Sequence, residues 1–156
     1  MSMEICVLSD ARIASIEEWQ SSIDTEELPL RLPDHKLLAE AIGGRLQVQL
    51  RDEYTTIEYS IVDLRELEET YKNINFEHHW TNVIAFTWAT DFKEEIAAWM
   101  AATAYARATQ GVIFDEHDGK LLSPAESLEL ITELERLLPA KEAALHSILQ
   151  QLKSKS

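Results

Sequence analysis

The chain has 156 residues, of which 46% are hydrophobic and 27% are charged, so we expect one folded domain over residues 1–156. This composition excludes disordered, collagen-like and fibrous proteins. The formal net charge of -14 argues against unassisted binding to nucleic acid or to an anionic membrane, because both depend on Lys and Arg side chains. A basic protein is the electrostatically favoured partner, although acidic composition also serves solubility alone.

The residue pattern near the N-terminus predicts a strand over residues 3–8. It then predicts an amphipathic helix that starts at Ser9-Asp10. The apolar residues at helical spacing are Ile13, Ile16, Trp19 and Ile23. The single cysteine, Cys6, lies in the apolar run of the strand, so we expect it to pack as a small hydrophobe and to form no intramolecular disulfide. Only four apolar residues follow Glu4, so neither a signal peptide nor a membrane span is expected, and the cytoplasm is the default location.

The next segment, residues 26–33, contains two prolines and is expected to be irregular. Asp34 is expected to cap a short helix that ends at Gly43-Gly44. Alternating apolar residues over 46–50 and 55–61 then predict a hairpin with one solvated face.

Asp63 and Glu66 have the spacing of a helix N-cap, and the following helix carries an apolar stripe formed by Leu64, Leu67 and Tyr71. Residues 83–88 have the composition of a central strand. The order of elements up to Trp88 favours a ferredoxin-like start, βαββαβ, in an α+β protein with an antiparallel or mixed sheet.

The segment from Asp91 to Leu122 is the most informative one. Asp91 opens a long Ala-rich helix with little charge after its first turn, which indicates a helix buried on more than one side. Gly111 is expected to end this helix, residues 112–114 form a strand, and Asp118-Gly119 predicts a tight turn into a further strand or hairpin.

The C-terminal part begins at Ser123-Pro124, with Glu126 completing a helix start signal. Pro139 is expected to interrupt the helix, which gives two C-terminal helices, and residues 139–156 are expected to form a peripheral helix and tail. The Leu and Ile stripes of these helices present more apolar surface than the edge of one domain can bury. A homo-oligomer formed through these helices is therefore a further hypothesis.

No catalytic, metal or nucleotide motif is found, and we predict neither a cofactor nor a metal site. With only four glycines, no phosphate-binding loop or dinucleotide fingerprint can be assembled. His78 and His79 are adjacent, so in an extended segment their side chains would point to opposite sides. The sequence therefore favours a non-enzymatic protein. The alternative is a small enzyme whose pocket is formed by Asp115, Glu116, His117, His78 and His79.

Acidic residues on two predicted helices suggest a binding surface. Residues 10–27 contain six acidic residues and one Arg, and residues 63–69 contain four and one Arg. If both helices lie on one sheet face, their outer surfaces merge into a negative patch that attracts a basic protein partner. The predicted partner-binding residues are Glu17, Glu18, Glu66 and Glu69.

The passage Ala106 to Leu122, ARATQGVIFDEHDGKLL, resembles a segment of small uncharacterised bacterial cytosolic α+β proteins, some of them grouped with immunity proteins of toxin systems. The resemblance covers about a fifth of the chain and depends on the alanine helix, Gly111, Asp115 and Gly119. It implies a bacterial accessory protein that acts by binding rather than by catalysis, and it assigns no functional residue.

Overall fold

The computed structural model describes residues 3–33, 43–89 and 91–154. It is an α+β fold in which these residues form a seven-stranded antiparallel sheet and four helices. The strands are β1 Met3–Ser9, β2 Leu30–Arg31, β3 Gly43–Leu50, β4 Glu53–Val62, β5 Asn82–Trp88, β6 Val112–Asp115 and β7 Lys120–Leu122. The helices are α1 Ile16–Thr25, α2 Leu64–Thr70, α3 Phe92–Thr109 and α4 Pro124–Ser154.

The strand order is β2-β3-β4-β5-β1-β6-β7. The first strand of the chain therefore lies inside the sheet, between β5 and β6, and both of its neighbours are antiparallel to it. Residues Ile5 to Ser9 are all buried, which explains why this strand is an apolar run and not an alternating pattern. Residues 82–88 also form an interior strand, as the sequence predicts.

The strand order does not confirm the ferredoxin-like start. In a split βαβ unit a helix connects two parallel strands that lie on either side of a third strand. Here α2 connects β4 to β5, which are direct antiparallel neighbours. The helix α2 therefore leads from one strand to the strand beside it, and β1 lies outside this pair.

The two faces of the sheet are covered by different helices. Ile5 and Val7 of β1 belong to a core that includes residues of α1, α3 and α4, and we call this side the three-helix face. Cys6 and Leu8 belong to a second core that includes Leu64 of α2, and we call this side the α2 face. The alternation follows from the two-residue period of a strand.

The helix α3 is the scaffold of the three-helix face, as its alanine content predicts. All residues from Ile96 to Ala106 are buried, and the exposed exceptions farther along are Arg107 and Ala108. Its N-cap is Asp91, whose carboxylate accepts hydrogen bonds from the backbone N–H groups of Lys93 and Glu94. Small side chains allow α1 and α4 to pack closely against it on either side.

The helix α1 begins later than predicted. Its N-cap is Ser15, whose hydroxyl oxygen accepts a hydrogen bond from the N–H of Glu18. Ser9-Asp10 is not the start signal, because the Ser9 hydroxyl donates to the carbonyl of Ala11 and the Asp10 carboxylate contacts a distant loop. Trp19 anchors the helix, since its indole N–H donates to the carbonyl of Ala101 at 2.9 Å.

The segment between α1 and β3 also differs from expectation. Residues 30–31 form a short edge strand that pairs with Leu50 and Gln49. The short helix expected after Asp34 lies outside the described residues. Gly43 and Gly44 begin β3 and pair with Ser60 and Tyr59, so they open a strand of the hairpin.

The helix α4 is one element and not two. Ser123 and Glu126 form the predicted reciprocal cap, in which each side chain accepts the other residue's backbone N–H at 3.1 Å. Pro139 lies inside the helix and does not end it. Pro139 is exposed, so water can reach the carbonyl that loses its helical hydrogen bond. Among the described residues, no helix combines the length and apolar composition needed to cross a membrane.

Candidate functional site

The predicted acidic patch is divided between two faces of the sheet. Trp19 of α1 packs in the core that contains Val7, while Leu67 of α2 packs in the core that contains Leu8. The expectation that α1 and α2 lie side by side is therefore wrong.

The α1 surface keeps its negative charge. Glu17 and Glu18 lie in the first turn, where carboxylates stabilise the helix N-terminus, and both are exposed. The Glu18 carboxylate accepts the backbone N–H of Ala14 at 3.0 Å. Among the described residues, no cation lies within ion-pair distance of Glu17 or Glu18. A shallow groove of about 260 Å³ runs beside Glu17, with Asp24 and Arg31 on its walls.

The α2 residues Glu66 and Glu69 are exposed on the other side of the molecule. The helix that carries them has seven residues and is capped by Asp63, whose carboxylate accepts the N–H of Arg65. The cap confirms the predicted start. The two pairs of glutamates therefore cannot act together as one docking surface.

The residues of the alternative pocket do not converge either. Asp115 and Glu116 are consecutive at the end of β6, so their side chains point to opposite faces. Asp115 lies on the three-helix face, where burial is the main cause of its raised pKa, and its carboxylate accepts the N–H of His117 at 3.1 Å. This bond belongs to the predicted turn, which Gly119 completes with a φ of +65°.

The paired histidines lie at the far end of β1. His78 Nε2 is 2.7 Å from the carboxylate of Asp10, and its ring packs edge-on against Trp80. The N–H and hydroxyl of Thr81 both donate to the same carboxylate, and these bonds hold the pKa of Asp10 below its usual value. Because β1 rises about 3.3 Å per residue, Asp10 is roughly 20 Å from Glu4. His79 is exposed and lies beside His78, away from Glu116.

Glu116 has an unforeseen neighbour, Glu4. The β1–β6 register places Ile5 opposite Asp115, so Glu4 and Glu116 are adjacent across the strands and share the α2 face. A side-chain hydrogen bond joins them. Burial is the first cause that raises the pKa of Glu4 to about 8, followed by this hydrogen bond and the negative charge of Glu116. Glu4 therefore keeps its proton at neutral pH and donates it to Glu116.

Tyr71 and Cys6 complete this group, which we call the Glu4–Glu116 cluster. The Tyr71 hydroxyl donates a hydrogen bond to Glu116, and burial followed by that bond raises the pKa of Tyr71 to about 12. The Tyr71 ring packs against Phe114 at 5.0 Å, which positions the hydroxyl. Burial also raises the pKa of the Cys6 thiol, so the sulfur is a neutral member of the cluster.

The Glu4–Glu116 cluster contains donor atoms for a metal ion. One carboxylate oxygen each from Glu4 and Glu116 and the Cys6 sulfur lie within 4.8 Å of one another. Two oxygens and one sulfur suit a borderline cation such as Zn²⁺ better than Mg²⁺ or Ca²⁺. Such an ion would have to displace the protons of Glu4 and Cys6, which makes any binding strongly dependent on pH.

A scan against models of protein families, a search of curated proteins and a search of solved structures return no significant match to this chain.

Proposed function

We propose that this is a non-enzymatic binding protein of the cytoplasm, of the inhibitor or immunity type, which receives a basic protein partner on the outer surface of α1. The strongest support is the pair Glu17 and Glu18, which is exposed beside a groove and forms no ion pair with a described cation. The formal net charge of -14 adds a long-range attraction for a basic surface.

The α1 surface is favoured over α2 because it is more firmly supported. Trp19 and Ile23 are fully buried, and the Ser22 hydroxyl donates to the carbonyl of Ala104, so α1 is fixed to α3. A rigid helix presents its outer side chains with little further loss of conformational entropy on binding. The α2 helix has only seven residues, or about two turns.

The test uses two matched charge reversals. The partner is first captured from cells that express the protein, then identified, purified and titrated by calorimetry at 50 and 200 mM NaCl. Glu17→Lys/Glu18→Lys is expected to weaken binding by at least tenfold at 50 mM and to reduce the salt dependence. Glu66→Lys/Glu69→Lys makes the same change in net charge on the opposite face and is expected to weaken binding less than threefold.

Circular dichroism shows whether each variant is folded before the titration. Wild-type affinity in the α1 variant would remove α1 as the docking surface. An equal loss in both variants would show that net charge alone, and no particular surface, drives association. Either result contradicts the proposal.

The second candidate is a small enzyme at the Glu4–Glu116 cluster, which retains Glu116 from the predicted pocket. It is favoured by one observation, the hydrogen-bonded carboxyl pair in which Glu4 carries a proton near neutral pH. Carboxyl pairs that share a proton perform acid–base hydrolysis of peptide bonds in some enzymes. Fluorescently labelled casein, incubated from pH 4 to 9, should then be cleaved by the wild type and not by Glu116→Gln. Lack of cleavage by the wild type at every pH contradicts this activity.

A further inference from the structure

The C-terminal half of α4 carries an apolar stripe that the rest of the molecule leaves uncovered. The exposed fractions are 50% for Leu145, 54% for Ile148, 49% for Leu149 and 62% for Leu152. The same helix buries its earlier stripe, Leu128 to Leu138, against the main core. Just before the stripe, α4 contacts the start of α3: the Lys141 Nζ lies 4.7 Å from the ring centre of Phe92, and Glu142 lies 3.7 Å from the Nζ of Lys93.

The segment around this stripe is free of formal charge. Residues 143–152 contain no Asp, Glu, Lys or Arg, although such residues make up 27% of the chain. Residues 140–156 hold three lysines and one glutamate, a charge of +2, so the chain total of -14 leaves -16 on residues 1–139. Two copies of this protein repel each other strongly through their bodies and least at this helix. A contact here also buries no charged side chain.

The spacing of the stripe is self-complementary in the antiparallel direction. If a two-fold axis passes between Ile148 and Leu149, Ile148 of one copy faces Leu149 of the other, and Leu145 faces Leu152. A two-fold contact uses the same patch on both copies, which this symmetric spacing satisfies.

A groove next to the stripe provides room for the second helix. It has a volume of about 460 Å³ and lies between the start of α3 and α4, with Phe92, Leu145 and Leu149 among its walls. In the antiparallel arrangement, Leu152 of the second copy would lie at Leu145, and therefore at the mouth of this groove. The groove would bury a side chain that is otherwise exposed.

We propose that the protein forms a two-fold symmetric dimer in which residues 145–152 of α4 pair antiparallel with the same segment of a second copy. This dimer is independent of the partner surface on α1. The paired segment has eight residues and spans about 12 Å, so the dimer buries less surface area than a standard protein interface. The expected dissociation constant is therefore micromolar, on the order of 1 to 100 µM.

Sedimentation equilibrium of the wild type from 1 to 500 µM measures the association. The mass should rise from 17.8 kDa toward twice that value. Leu145→Glu/Leu149→Glu should remain at 17.8 kDa over the same range. The matched control, Ala143→Glu/Ser147→Glu, has the same spacing and charge change on the far side of the helix, and should weaken the dimer less than fivefold.

Disulfide trapping determines the orientation, because the single native cysteine, Cys6, is buried. A mixture of Leu145→Cys and Leu152→Cys proteins under mild oxidation should form the mixed disulfide, while Leu145→Cys alone should not cross-link. A mass of 17.8 kDa at all concentrations overturns the dimer. A dimer that survives Leu145→Glu/Leu149→Glu overturns the surface, and rapid cross-linking of Leu145→Cys with itself overturns the antiparallel orientation.

Discussion

Glu4 acquires its chemistry from a neighbour across the sheet and not from the residues beside it in sequence. It lies in an apolar stretch, and the strand register brings it to Glu116, which is distant in the chain. The predicted pocket included Glu116 because it belongs to an acidic turn, but it omitted Glu4. A sequence without a known register cannot pair these two carboxyl groups.

Replacement of Glu4 by glutamine should flatten the dependence of stability on pH. The pKa of Glu4 is about 8 in the fold against an ordinary value of 4.5, so its stabilising contribution is complete below pH 4.5 and is lost as pH rises to about 8. The glutamine amide cannot ionise, and it keeps an N–H to donate to Glu116. Glu4 is partly exposed, so solvent screening reduces the effect. Between pH 5 and pH 9 we expect the free energy of unfolding to fall by about 1 to 2 kcal/mol more in the wild type than in Glu4→Gln.

Urea unfolding at pH 5, 7 and 9 measures this difference. Glu66→Gln, at an exposed position on the same face, serves as the control and should keep the wild-type slope. Parallel pH profiles for the wild type and Glu4→Gln would show that Glu4 is not a proton-holding group.

Gly111 was predicted to end α3, and its actual role is different. The residue with the left-handed conformation at the helix end is Gln110, with a φ of 56°. Gly111 is required because a Cβ at its position would lie 2.4 Å from the carbonyl oxygen of Leu8. The sequence indicates that a helix stops here, but it does not show that the backbone then passes this close to β1.

Two neighbouring substitutions should therefore have opposite effects on the free energy of unfolding. Gly111→Ala should destabilise the protein by at least about 2 kcal/mol, because backbone atoms of β1 must move. Gln110→Gly should stabilise it by about 0.5 to 1 kcal/mol, because glycine adopts a positive φ without strain. Urea titrations of both variants at pH 7 measure the two changes, and a neutral Gly111→Ala would contradict the close approach.

Among the elements, those with local signals are predicted best. The caps Asp63, Asp91 and Ser123 are confirmed because each bonds to backbone within three residues of itself. The predicted start of α1 is wrong. Asp10 is a residue type that often caps helices, but its carboxylate binds His78 and Thr81 instead. The predicted break at Pro139 fails because a solvated helix can tolerate the lost hydrogen bond.

The alanines of α3 should be sensitive to size according to their position on the helix. Ala101 is fully buried between the sheet and its neighbouring helices, and its carbonyl receives the indole of Trp19. Ala101→Leu should lower the free energy of unfolding by about 1 to 3 kcal/mol, because the larger side chain overpacks the core. Ala108→Leu adds the same atoms at an exposed position of the same helix and should change stability by less than about 0.5 kcal/mol. Thermal and urea unfolding compare the two, and equal effects would contradict the close packing of α3.

For the molecule as a whole, the α+β class and most of the strands follow from the sequence, while their spatial order does not. Hairpins such as β3–β4 are marked by local alternation, but the pairing of β1 with β5 and β6 depends on contacts between distant segments. The prediction of one acidic patch fails for a related reason. The sequence alone does not show which face of the sheet α2 covers. The candidate site was only partly predictable for this reason.

The net charge of -14 should make stability depend on salt. Repulsion among carboxylates disfavours the compact state, and salt screens it over a Debye length of about 10 Å at 0.1 M and 3 Å at 1 M. We expect the free energy of unfolding to rise by about 1 kcal/mol between 20 and 300 mM NaCl at pH 7. The rise should shrink near pH 4.7, where the net charge approaches zero. A fall in stability with NaCl at pH 7 would show that attractive ion pairs outweigh the repulsion.

The interior position of β1 has a consequence for biosynthesis. Met3–Ser9 leaves the ribosome well before its strand partners, Asn82–Trp88 and Val112–Asp115, are made. The β3–β4 hairpin can close as soon as it emerges, whereas the apolar first strand must wait without a partner. During translation this strand is therefore the segment of the nascent chain most exposed to chaperone capture and to aggregation.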